Sequence, residues 1–275
     1  MKTKFICSMA MAAAFLLAVG DSVKADGVPL RQTKVQTAPS DRANVSFGIR
    51  PGLPWGAMAG KAVLDRQGAR VGQLQDLIIE PWTGHVVCAL VAPEGVSATN
   101  ADLAAVPPGV FFLVDGQKAV LSVDGEAVAK APRFGKARME EIYRHYEQKP
   151  YWDTKYGLKR TYKVSEMIGM VVLNNNKEEL GNVVNFTIDL PAGRTTLAVI
   201  SFDGTENTIY AVPPSAFKGG ATRDVVVLDA AGLKVVRESK PLPAFAQQFN
   251  DPNWLAAVYQ EYGQQPEAPQ ARARK

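Results

Sequence analysis

Cysteine and histidine are almost missing from this chain, with two of each in 275 residues. Cys7 lies in an apolar N-terminal stretch, so only Cys88 remains for the folded part, and one thiol cannot close an intramolecular disulfide. The fold must be held by a hydrophobic core, which a chain of about 250 residues can supply. His85 and His145 lie in separate segments, and nothing in their spacing assembles a Ser/His/Asp or Cys/His site. His85 and Cys88 are three residues apart, which on a strand sets them on opposite faces and argues against a metal pair. No strand leads through clustered glycines into a helix, so a phosphate loop is absent. Beyond residue 25 no apolar run is long enough to cross a bilayer. Catalytic residues, cofactor and metal are all expected to be none.

Composition is that of a globular chain, 47% hydrophobic and 21% charged, which excludes disorder throughout. Lys2 and Lys4 followed by the apolar run Phe5 to Val19 read as a secretory signal, with Val23-Lys24-Ala25 as the cleavage site. A retained anchor would use the same physics, but the run is shorter than the roughly 20 residues of a spanning helix. Residues 1–25 are thus expected to leave as a signal peptide, placing the protein in an exported compartment, the bacterial periplasm. Removing them lowers the formal net charge from +4 to +2, so the basic pI carries little information. Residues 26–56, dotted with Gly, Pro, Ser, Thr and Gln, read as a flexible lead. Residues 266–275 form a basic tail ending Ala271-Arg272-Ala273-Arg274-Lys275.

What is present in quantity is an internal repeat. GKAVLDRQGARVGQLQDLIIEPWTGHVVCALV from Gly60 matches GMVVLNNNKEELGNVVNFTIDLPAGRTTLAVI from Gly169 without a gap, at an offset of 109 residues. Leu64 falls on Leu173, Gly72 on Gly181, Ile79 on Ile188, Gly84 on Gly193 and Ala89 on Ala198. After a small length change Ala105-Val106-Pro107-Pro108 faces Ala211-Val212-Pro213-Pro214, and Ile142-Tyr143-Arg144-His145-Tyr146 faces Val258-Tyr259-Gln260-Glu261-Tyr262. A period of this length means duplicated domains and not a solenoid.

Within each copy the chemistry predicts strands joined by tight turns. Asp65-Arg66-Gln67-Gly68 is a hairpin turn, and in Asn174-Asn175-Asn176-Lys177 an asparagine is expected to take the positive φ. Gly84 and Gly193 close a second turn, and Gly72 and Gly181 open a strand where a missing side chain permits a bulge or bend. Strands are predicted at Val86 to Val91, Leu197 to Ile200, Ala119 to Val123 and Asp224 to Leu228. Each copy then ends in a helix. Met139, Ile142, Tyr143 and Tyr146 share one face in the first, and Asp251-Pro252 starts the second.

Gly72 with Asp76 four positions on, followed by Ile78-Ile79-Glu80-Pro81-Trp82-Thr83-Gly84 and an apolar strand, resembles the PRC-barrel domain. The second copy carries Gly181, Asn185 and Thr187-Ile188-Asp189-Leu190-Pro191-Ala192-Gly193, and both copies have a Val-Pro-Pro step. The resemblance implies a mainly β protein: two tandem small PRC-like β-barrels, each followed by a C-terminal α-helix. The implied boundaries are 57–150 for the first domain with its helix, 151–163 for a connector and 164–265 for the second. It also implies a non-enzymatic adaptor that docks on other proteins.

The residues shared by the copies are glycines, prolines, apolar positions and tyrosines, whereas reactive types change. Asp65 becomes Asn174, Asp76 becomes Asn185, His85 becomes Arg194 and Cys88 becomes Leu197. Glu140-Glu141 and Glu178-Glu179 read as solvated charge. The segment 143–163 interleaves aromatics with cations, so Tyr151, Trp152, Tyr156, Lys159 and Arg160 are the candidate contacts with a partner. The reading favoured over a contact surface is that the rings pack the first helix and the joint while the cations point outward. The leading expectation is an exported, non-enzymatic docking platform for a protein partner in the envelope. A small-ligand or ion-binding module with a pocket between the barrels is the alternative, and a hydrolase whose site spans both copies is the third. Export makes nucleic acid an unexpected partner. Sequencing the N-terminus of the exported protein should read Asp-Gly-Val-Pro from Asp26, and Met1 at that terminus would show a retained anchor instead.

Overall fold

The computed structural model describes residues 51–95, 102–155, 157–202, 208–239, 242–243 and 247–265. The expected signal peptide, residues 26–50 of the lead and the tail 266–275 lie outside them, as does Tyr156. The protein is mainly β. Its first half runs β1 (Leu53–Pro54), α1 (Trp55–Met58), β2 (Ala62–Leu64), β3 (Arg70–Glu80), β4 (His85–Pro93), β5 (Ala104–Val106), β6 (Phe111–Val114), β7 (Lys118–Leu121), α2 (Gly125–Ala129) and α3 (Met139–His145). The second half runs β8 (Tyr162–Lys163), α4 (Val164–Met167), β9 (Val171–Leu173), β10 (Glu179–Asp189), β11 (Arg194–Phe202), β12 (Thr208–Val212), β13 (Phe217–Gly219), β14 (Val225–Leu228), α5 (Ala230–Glu238), β15 (Leu242–Pro243) and α6 (Pro252–Glu261).

Strand pairing follows the same plan in both halves. β2, β3, β4 and β5 pair antiparallel in succession, β7 joins β2 in parallel and β6 pairs with β7. β9, β10, β11 and β12 do the same, with β14 parallel to β9 and β13 on β14. Even the register breaks correspond: β3 slips between Leu74 and Asp76 and again between Ile78 and Ile79, and β10 slips between Val183 and Asn185 and between Thr187 and Ile188. Among the described residues no ladder joins β5 to β6. The chain crosses that gap through the proline-led turn at Pro108–Val110, where Ser122 N–H donates to the Val110 carbonyl at 2.8 Å.

One local expectation holds and one needs correction. Gly72 and Gly181 each lie at a register break, where β3 sets Gly72 opposite Val63 but Arg70 opposite Leu64, and β10 sets Gly181 opposite Val172 but Glu179 opposite Leu173. They are required because the neighbouring strand passes too close for a side chain: a Cβ would overlap the carbonyl oxygen of Ala92 on Gly72 and of Ser201 on Gly181. In the second hairpin turn the positive φ belongs to Lys177 (65°), not to an asparagine, at the position where the first turn has Gly68 (87°). The reason is the side chain that opens each turn. Asp65 accepts from Gln67 and Ala69 N–H at 2.9 Å, and Asn174 from Asn176 and Glu178 N–H at 2.9 Å, so the fourth residue must turn left whatever it is.

The predicted helical ends are present. α3 buries Ile142 and Tyr143, and Asp251 caps α6 by accepting the Asn253 N–H at 2.8 Å. Helix α5, with Asp229 capping Gly232 N–H at 2.8 Å, and the short α1, α2 and α4 were not foreseen.

The largest departure from a simple tandem is an exchange of segments. β1 pairs with β10 of the second half, Leu53 opposite Ile188 and Pro54 opposite Thr187. β8 pairs with β3 of the first half, Tyr162 opposite Ile79 and Lys163 opposite Ile78. At the repeat offset these two pairings are the same pairing made twice, as an approximate two-fold axis requires. The helices that follow go with their strands: α1 packs on β10 and α4 on β3. Met58 and Met167 are their fully buried anchors, at 0% and 2% exposure, and burying one such side chain contributes about 1.5–3 kcal/mol. The end of the expected flexible lead, Leu53 to Trp55, and the end of the expected connector, Tyr162 and Lys163, are therefore structural parts of the opposite halves. One core cluster runs through both halves, and the described residues belong to one compact unit.

Reciprocal exchange predicts that neither half completes its sheet alone. Two fragments divided after Lys155 should co-purify as a one-to-one complex when co-expressed, and each alone should lack a cooperative melt by circular dichroism. A first fragment that folds as a stable monomer would contradict the exchange.

Candidate binding site at the junction of the two halves

The halves meet where the turns closed by Gly84 and Gly193 lie side by side. His85 faces Arg194 in an antiparallel bridge, Val86 N–H donates to the Gly193 carbonyl at 2.9 Å and Thr195 N–H to the Gly84 carbonyl at 2.7 Å. Both glycines close their turns with a positive φ, 71° and 69°. Each also sits against the Pro-Pro step of the other half. A Cβ on Gly84 would crowd Pro214 and the Thr195 carbonyl, and one on Gly193 would crowd Pro108.

A pocket flanks this junction in each half, and the two differ in what fills them. In the first half Tyr143 of α3 donates its hydroxyl to the Val87 carbonyl at 2.7 Å, and the chain beyond α3 returns to lay Tyr151 flat on His85, with ring centroids 4.0 Å apart and planes within 3°. Trp152 meets Tyr143 and Tyr151 edge to face, at 4.9 and 5.0 Å. Burial first, and the Glu80 carboxylate second, push the Tyr151 phenol well above its ordinary pKa.

In the second half the equivalent tyrosine, Tyr259, donates to the Thr196 carbonyl at 2.7 Å, but the space beside it is open. A cavity of about 460 Å³ lies between the Trp82–Gly84 turn of the first half and Arg194, Thr195, Ser215, Tyr259 and Gln264 of the second. The Ser215 hydroxyl donates to the Gln264 side-chain carbonyl at its rim. Thr195 is 3% exposed and its hydroxyl has no hydrogen-bond partner among the described residues, a cost in a folded protein unless a ligand or water satisfies it. The volume lies in the range usual for ligand pockets, about 300–1,000 Å³.

Folding also brings His85 to a hydroxyl and an acid, which linear spacing did not suggest. The Thr83 hydroxyl is 3.1 Å from Glu80 Oε2 and 3.0 Å from His85 Nδ1. Tyr151 covers one face of the imidazole. Glu80 is further occupied by the Lys159 backbone N–H at 2.9 Å. His145 lies elsewhere, its Nε2 on the Ala127 carbonyl at 2.7 Å.

The other divergent polar pairs also have structural work. Asp76, 6% exposed, accepts the N–H groups of Leu77 and Ser165 at 2.8 and 3.2 Å and the Ser165 hydroxyl, so it ties α4 to β3. In the other half the serine is replaced by Gly56 and the acid by Asn185, whose carbonyl accepts the Phe186 N–H at 2.8 Å. At this pair of positions the carboxylate stands in the half that offers it a hydroxyl donor. Cys88 is fully buried and its thiol is pushed up, by burial first and then by Asp76. No group of three or more His, Cys, Asp or Glu able to hold a metal occurs among the described residues.

Of the candidate contact residues, Tyr151 and Trp152 are half-buried against the core, Lys159 and Arg160 are exposed, and Tyr156 lies outside the described residues. The residues around the open cavity, Arg194, Thr195, Ser215 and Gln264, were not singled out in advance as a site. Arg194, Thr195 and Ser215 are marked in the sequence by divergence from His85, Val86 and Gly109, whereas Gln264 keeps the type of Gln148.

Compared with known families, residues 159–232 match the PRC-barrel domain. That segment is a PRC-barrel domain. It starts just before β8 and ends within α5, so the strand and helix at the front of the PRC-barrel sequence, β8 and α4, are the part docked on the other half. The match does not extend to the first half. No curated protein matches the chain.

Packing of Tyr151 and Trp152 predicts a division among the five candidates. Trp152→Ala should lower stability by about 2–4 kcal/mol in urea melts, whereas Lys159→Ala and Arg160→Ala should stay within about 0.5 kcal/mol. Equal, small effects at all of these positions would return the aromatics to the candidate surface.

Proposed function

We propose that the protein is an exported, non-catalytic binding protein in which two PRC-barrel-like units, the second the detected domain and the first its diverged repeat, hold a docking site for a protein partner of the cell envelope. The observation that carries this reading is the open cavity at the junction, walled by both halves and holding a buried hydroxyl without a partner. Three features support binding over catalysis. The Thr83 hydroxyl and His85 are held between the Glu80 carboxylate and the Tyr151 ring. Among the described residues, the cavity wall contains neither histidine nor cysteine. The reactive residue types are not kept between the repeats, whereas the framework is.

A small-ligand module remains the second reading, since the same cavity has the volume for one. The two are separated by placing a photo-crosslinking residue at Ser215, on the exposed rim, and irradiating cells that export the protein. A discrete protein adduct in the envelope fraction, absent when the residue is placed at exposed Lys130, is expected. No adduct, together with a raised melting temperature on addition of a low-molecular-weight envelope extract, would decide for the small ligand.

A further inference from the structure

The two pockets at the junction begin alike. α3 and α6 end with the same backbone: Gln148 N–H donates to the Tyr143 carbonyl at 2.9 Å and Gln264 N–H to the Tyr259 carbonyl at 2.9 Å. The residue before each glutamine has a positive φ, 52° at Glu147 and 64° at Gly263. Both sequences then reach a proline, and there they part. The first continues Pro150-Tyr151-Trp152 and the second Pro266-Glu267-Ala268. The aromatic pair that fills the first pocket has no counterpart in the sequence that follows the second.

The wall of the open pocket has changed to match a different occupant of the same kind. Where His85 lies under the Tyr151 ring, the second half has Arg194, a planar cation that stacks on an aromatic face more strongly than a neutral imidazole. Where Val86 and Val87 form the floor, the second half has Thr195 and Thr196. The Thr196 hydroxyl is used within the sheet, by Thr187, and the Thr195 hydroxyl is left over. Tyr259 keeps the ring and hydroxyl anchor of Tyr143.

Resting on the binding role proposed above, we propose that the cavity takes two adjacent aromatic side chains of an extended peptide segment in a partner protein, one ring stacked on the Arg194 guanidinium and the other edge-on to Tyr259, with Thr195 Oγ1 hydrogen-bonded to the segment. The second half thus binds from outside what the first half supplies from its own chain. A peptide is the favoured occupant because the filled pocket shows one: two neighbouring rings carried on backbone that enters past a glutamine and a proline.

The test uses the purified exported protein and a fluorescein-labelled peptide of the chain's own plug sequence, Gln-Lys-Pro-Tyr-Trp-Asp-Thr, read by fluorescence anisotropy. Saturable binding is expected, weakened at least about tenfold when both aromatics of the peptide are alanine, and weakened as much by Arg194→Ala. Ser215→Trp, at an exposed position on the rim, should block the cavity without unfolding the protein, which covers the case of an unstable Arg194 variant. The double substitution Glu267→Tyr, Ala268→Trp should build the missing plug, raising the melting temperature by a few degrees and abolishing peptide binding. The proposal is overturned by any of three results: the alanine peptide binds equally well, the peptide binds only after residues 266–275 are deleted, or the peptide fails to bind and the grafted plug leaves the melting temperature unchanged. The second result assigns the cavity to the chain's own tail. If the Ser215 crosslink still captures a protein while the peptide fails, the binding role stands and only the aromatic chemistry is wrong.

Discussion

Two backbone hydrogen bonds, Val86 to Gly193 and Thr195 to Gly84, join the halves at the one place where the repeat meets itself. Everything distinctive about the structure follows from the constraint they express, that the two copies are related by an approximate two-fold axis through a pair of glycine turns. The axis allows β1 and β8 to cross over and complete the opposite sheets. It lets one core cluster run through both halves, beside a smaller one between β11 and α6. It also sets two pockets beside the junction, one on each side, from the same list of positions. Adding a side chain to either glycine would push apart the turn and the Pro-Pro step that face each other there.

Duplication under such a constraint keeps what the junction and sheets need and frees the rest in pairs. Asp76 with Ser165 and Asn185 with Gly56 are one such pair of solutions, in which the buried acid and its hydroxyl donor were kept or lost together. His85 under Tyr151 and Arg194 beside an open cavity are another. In both cases the change in one residue makes sense only with a partner far along the chain, Ser165 for Asp76 and Tyr151 for His85, and that partner belongs by sequence to the other half or to the segment after the first helix.

Much of the framework was legible because it rests on local chemistry. The alternating apolar strands, the Asp65 and Asn174 turns, the Asp251 cap and the left-handed glycines at 84 and 193 all depend on residues within a few positions of one another. The positive φ of Lys177 was misplaced because it is set by the hydrogen bonds of Asn174 and not by the preference of the residue that bears it. The site was less legible. An aromatic and cationic run reads either as a contact surface or as packing, and Tyr151 and Trp152 take the packed course because His85 and Tyr143 offer them ring faces that no spacing rule reveals. Extending the repeat comparison from Tyr262 to Ala268 would have exposed the missing aromatic pair, but its meaning needs the pocket.

The sequence by itself determined the repeat, its offset, the order of strands and turns and the single-thiol core, since each is written in periodicity and in residues with special backbone preferences. The tertiary structure alone decided which half each terminal strand joins and which of two like pockets is filled. Those outcomes depend on contacts between residues far apart in the chain, where the same local sequence serves either arrangement and only packing chooses between them.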